Sequence, residues 1–98
     1  MNNRDYINSI SDIMLCLQSM IRTRYNKKTK IIYTYGRYKS AYTSFYRNHV
    51  WQFYVEDKIN HFTVYLLKNE KIVEKEIFNK KELVERFYQK MLRFFKYM

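Results

Sequence analysis

The chain has 98 residues, 19 of them Lys or Arg and 9 Asp or Glu, for a formal net charge of +10 at pH 7. That length suits one domain with a single core, and a hydrophobic share of 47% excludes a disordered chain. The lone Cys16 excludes an internal disulfide and a four-cysteine zinc site, which points to a reducing, cytoplasmic setting.

Residues 4–25 read as an amphipathic helix. Tyr6, Ile10, Ile13, Met14, Leu17, Met20 and Ile21 recur at three- and four-residue steps and make one apolar stripe. Asn3 is the expected N-cap, and Asp5 suits the positive end of the helix dipole. The longest apolar run of this segment, Ile13–Leu17, is too short for a signal peptide core or a membrane span. Cys16 falls where a small buried hydrophobe packs. Arg22 and Arg24 fall in the last turn, which favours cations on structural grounds alone.

From Arg22 to Arg47 the composition changes. Arg22, Arg24, Lys27, Lys28, Lys30, Arg37, Lys39 and Arg47 lie there with six tyrosines, and no carboxylate occurs between Asp12 and Glu56. Lys30–Tyr35 is β-branched and aromatic, a strand that Gly36 ends or bends. Arg37–Asn48 fits both periods: Tyr38, Tyr42, Phe45 and Tyr46 step as on a helix, while Tyr42, Ser44 and Tyr46 alternate as on a strand. A strand or irregular sheet edge is the expected state. Cations alternating with flat rings suit a polyanion with stackable faces. The candidate binding residues are therefore Arg22, Arg24, Lys27, Lys28, Lys30, Arg37, Tyr38, Lys39, Tyr42 and Arg47. The structural alternative is a solvated basic face over tyrosines that fill the sheet.

The second half reads as sheet and helix. His49–Glu56 is a strand with Trp51, Phe53 and Val55 on one face, and His61–Leu67 is another. Lys68–Lys71 is a tight turn around Asn69. Ile72–Phe78 is a third strand whose Glu74, Lys75 and Glu76 mark a solvated sheet edge. Asn79 with Glu82 has the capping-box spacing that opens a final helix. Its buried stripe is Leu83, Val84, Phe87, Met91, Phe94, Phe95 and Met98, with Glu82–Arg86 as a supporting pair and Arg86, Lys90 and Arg93 on an exposed ridge.

The expected fold is one α+β domain over residues 1–98. It has an N-terminal helix, an antiparallel sheet of three to four strands and a C-terminal helix, with both helices on one sheet face. In topology this resembles the double-stranded RNA-binding domain, and Lys80 and Lys81 stand where that family opens its second helix with lysines. That family's glycine-rich turn and alanine-rich helix are missing here.

No catalytic motif is present. One glycine cannot build a phosphate-cradling loop, and a carboxylate-free basic segment lacks the metal-holding acids of a nuclease. A metal site would need His49 and His61 paired across their hairpin with a carboxylate. We expect no metal, no cofactor and no membrane partner. The leading expectation is a non-enzymatic binder of RNA or single-stranded DNA. A second is an anti-CRISPR-like inhibitor or adaptor from a phage, virus or plasmid, acting on a nucleic-acid-processing complex or its guide RNA. The Lys-, Asn-, Ile- and Tyr-rich composition suits an AT-rich source of that sort. A third is an interaction protein that homodimerises through the C-terminal helix, with Phe94, Phe95, Tyr97 and Met98 as the seam.

Overall fold

A computed structural model of the chain describes residues 6–24, 30–34, 40–46 and 49–97, with the segments 30–34 and 40–46 given by their backbone alone. The elements in chain order are β1 (Tyr6–Ile7), α1 (Ile10–Arg24), β2 (Lys30–Thr34), β3 (Ser40–Tyr46), β4 (His49–Asp57), β5 (His61–Lys68), β6 (Lys71–Asn79), β7 (Glu82–Leu83) and α2 (Val84–Phe95). Strands β2 to β6 form one antiparallel meander in sequence order, and β1 pairs with β7 in a separate two-stranded bridge. The α+β class and the two flanking helices are as the sequence led us to expect. The ambiguous segment 37–48 contains the full strand β3, paired on both sides, so the sheet has five members.

One face of the sheet carries the helices. Cross-strand register sets Phe53 opposite Leu66, Val55 opposite Val64 and Phe62 opposite Phe78. Directly opposed residues project to the same side of an antiparallel pair. These residues join Trp51, Ile13, Leu17 and Ile21 of α1 and Phe87, Met91, Phe94 and Phe95 of α2 in one buried core. The Phe53 ring stacks on Phe94 at 6.3 Å between centroids, and Phe78 meets Phe87 at 4.7 Å. Burial on this scale is the main stabilising term for a domain this small.

The β5–β6 turn forms where expected. Asn69 and Glu70 have φ of 49° and 72°, the left-handed pair that a two-residue type I′ hairpin demands. Asn69 also ties the turn to the start of β4: its Oδ1 accepts the Val50 N–H at 3.0 Å, and its own N–H donates to the Val50 carbonyl at 2.8 Å.

Both helices start later than expected. Helix α1 begins at Ile10, because Ser9 and Asp12 form a reciprocal cap. Asp12 Oδ2 accepts the Asn8 and Ser9 N–H groups at 2.8 and 3.0 Å, while Ser9 Oγ accepts the Asp12 N–H at 3.3 Å. Upstream, Tyr6 pairs with Leu83 and Ile7 with Glu82. The expected cap Asn3 and the helix-start residue Asp5 lie outside the described residues.

Helix α2 begins at Val84 rather than Asn79. Its N-cap is Leu83, with no side-chain cap, and Asn79 is the last residue of β6. The capping box does not form because Glu82 is drawn into β7, opposite Ile7. Lys81 turns the chain with φ 66° and donates its N–H to the Ile7 carbonyl at 2.8 Å. Lys80 and Lys81 therefore sit in a turn before the helix, and with five strands the likeness to the double-stranded RNA-binding domain ends at the order of elements. Leu83, expected in the buried stripe, is instead 41% exposed.

Candidate nucleic-acid interface

The expected binding residues divide into three groups. Arg22 and Arg24 occupy the last turn of α1, and both side chains are exposed. The Arg24 guanidinium lies 5.3 Å from the centroid of the Phe95 ring, which packs the end of α1 against the end of α2. Lys30 and Tyr42 are placed by backbone register on neighbouring strands, Lys30 opposite Phe45 and Tyr42 opposite Phe53. Lys27, Lys28, Arg37, Tyr38, Lys39 and Arg47 lie outside the described residues, as does Gly36.

Several cations of the second half are engaged with acids of the same chain. Arg93 donates to the Lys75 carbonyl at 3.0 Å and forms ion pairs with Glu74, at 3.5 Å, and Glu76. Arg86 and Lys90 both reach Glu82, at 3.8 and 3.6 Å, and that carboxylate is only 8% exposed. Lys58 pairs with Glu56 at 3.3 Å and Lys80 with Asp57 at 2.7 Å. The ridge of Arg86, Lys90 and Arg93 is thus bound to the protein's own acids.

Glu74 and Glu76 were expected as solvated edge residues. They do lie on the edge strand β6, but opposite Leu66 and Val64, so they face the helix layer and meet Arg93 there. The signal was in the sequence: Glu74 and Glu76 alternate in phase with the buried Phe78. The Lys75 N–H holds the Glu74 carboxyl below its ordinary range, helped by the Tyr97 hydroxyl at 3.1 Å and by Arg93. The same bond pushes the Tyr97 hydroxyl upward.

His49 starts β4 and His61 starts β5, so the antiparallel pairing sets them at opposite ends of the hairpin, about 30 Å apart at ~3.3 Å per residue. His49 Nδ1 instead lies 3.1 Å from Asn69 Nδ2. Among the described residues no group of three or more His, Cys, Asp or Glu could hold a metal ion. Cys16 is buried, and that burial raises its thiol above the ordinary value, which disfavours the thiolate a nucleophile needs. No described helix is long and apolar enough to cross a membrane.

No family model matches the chain, and no curated protein or solved structure is similar enough to count as a relative. Phe94 and Phe95, expected in a dimer seam, are 0% and 4% exposed within the chain's own core, and Met98 lies outside the described residues.

Proposed function

We propose that the protein is a non-enzymatic nucleic-acid-binding module that takes RNA or single-stranded DNA on its central basic, tyrosine-rich segment. One observation supports this above the rest. Five cations of the second half are matched to carboxylates of the same chain. The eight between Arg22 and Arg47 have no carboxylate in their own interval. Phosphates are the counter-charges that fit an array of this kind, and the interleaved tyrosines add flat surfaces on which unpaired bases stack.

The reading is tested by titrating a fluorescent single strand at several salt concentrations. With about five cations on phosphates, log K against log[salt] should fall with a slope near −3.5, roughly −0.7 per phosphate. A flat salt response, or no binding at low salt, would reject the reading. Metal-dependent cleavage of the strand would reject its non-enzymatic part. A pull-down on immobilised RNA, repeated with nuclease-treated lysate, separates it from the inhibitor or adaptor alternative, in which the retained species is a nucleic-acid-processing complex.

A further inference from the structure

The outward sides of α1 and α2 leave an open groove of about 770 Å³ between them. Met20 of α1 and Val84, Tyr88 and Leu92 of α2 give it an apolar lining. Leu83 and Leu92 stand 41% and 45% exposed along it, although neighbouring Phe87 and Met91 are wholly buried. Large apolar side chains left half in water beside a concave apolar surface mark an interface.

The charges on the groove are arranged by end. Glu85, in the first turn of α2, lines one end. Arg24, beside Phe95 in the last turn of α2, lines the other. At ~1.5 Å per residue the ten residues from Glu85 to Phe95 span about 15 Å. Neither Arg24 nor Glu85 has an ion-pair partner among the described residues, in contrast to Arg86, Lys90 and Arg93. The groove is negative at one end, apolar in the middle and positive at the other.

A surface with that polarity is complementary to itself after a half-turn about an axis through its centre. We propose that a second copy of this chain covers the groove in a two-fold antiparallel dimer. Each protomer's Arg24 meets the partner's Glu85, and each Leu92 enters the partner's groove. Two-fold interfaces are the commonest in homo-oligomers and require this kind of self-match. A nucleic-acid strand would gain nothing from an apolar floor with a carboxylate at one end. The seam lies along the groove between α1 and α2, does not draw on the buried Phe94 and Phe95 rings as its apolar contacts, and stands independently of the nucleic-acid reading. It assigns Arg24 to the partner and leaves phosphate contact to the other basic residues.

Sedimentation equilibrium across the micromolar range tests this, on protein freed of nucleic acid by nuclease and a high-salt wash. We expect a concentration-dependent dimer. Leu92→Lys should leave monomer with the parent circular dichroism spectrum. Arg24→Glu and Glu85→Arg should each weaken the dimer roughly tenfold or more by opposing like charges, and the two together should restore it. A parent protein that stays monomeric overturns the proposal. So does a dimer indifferent to Leu92→Lys, or a folded double reversal no tighter than the single ones.

Discussion

Between Asp12 and Glu56 the chain carries eight Lys or Arg and no acid; from Glu56 onward it carries ten with seven acids. In the later stretch the acids are positioned as well as present. Glu82 holds two cations from the first turns of α2, and Glu74 and Glu76 clamp Arg93 to the edge strand. Arg22 and Arg24 stand exposed where the run of cations within the acid-free stretch begins. The contrast shows that counting cations does not locate a binding surface. The ridge on α2 and the basic run from Arg22 to Arg47 look alike in composition, and the placement of nearby carboxylates shows that the ridge is already matched.

Changes in the second half should therefore alter stability and spare binding. The largest effect should come from its core. Phe94→Ala empties a site that is 0% exposed and removes the stack on Phe53, at a cost of about 3–5 kcal/mol in chemical denaturation. Affinity of the remaining folded fraction for a single strand should be unchanged, and a parallel loss there would break the division.

The reverse pattern is expected for Lys27→Ala combined with Lys28→Ala. The salt slope should fall by about one to two units with the thermal midpoint nearly constant. An unfolded double variant with an unaltered slope would place these lysines in the structure rather than at the phosphates.

Smaller effects sharpen the boundary. Ser9→Ala removes the acceptor of the Asp12 N–H and should cost about 1 kcal/mol. Asn79→Ala, which caps nothing, should cost a few tenths at most. Equal losses at the two sites would overturn the helix starts described above. Arg93→Ala should cost about 1 kcal/mol, as an ion-pair network on a half-exposed side chain, and leave the salt slope alone.

The smallest effect should appear with acid. The folded state holds Glu74 below its ordinary range, so its contribution is present at neutral pH and is lost as pH falls through that depressed value. Glu74→Gln should flatten the acid side of the midpoint-versus-pH curve relative to the parent. Identical curves would mean that the Lys75, Tyr97 and Arg93 interactions contribute no measurable linkage.

Long periodic segments were legible from sequence because burial follows period. Trp51, Phe53 and Val55 alternate into the core, and Ile13, Leu17 and Ile21 step into it. Asn69 was legible because few residues accept a left-handed turn. The helix starts were not, because Asn79–Glu82 and Ser9–Asp12 offer similar capping signals. Only the tertiary pairing of Glu82 with Ile7 decides between them. The engaged state of Arg93 was hidden for a related reason: its partners lie on a strand that precedes it by some twenty residues. Of the candidate interface, the sequence shows the run of charge and rings, while Lys30 and Tyr42 gain only their strand register from the fold.

The small bridge between β1 and β7 bears on the order of folding. Each strand of the main sheet pairs with its neighbour in the chain, so those hairpins close short loops and form early. Tyr6 with Leu83 instead joins strands that lie before α1 and after the whole meander, the pairing with the heaviest loop-closure cost. That contact should form after the rate-limiting barrier has been crossed. Truncating Ile7, which is fully buried there, should then accelerate unfolding while leaving the refolding rate almost untouched. The strap that secures both helices would in that case act as a brake on opening, setting how long the native state lasts rather than how quickly it is reached.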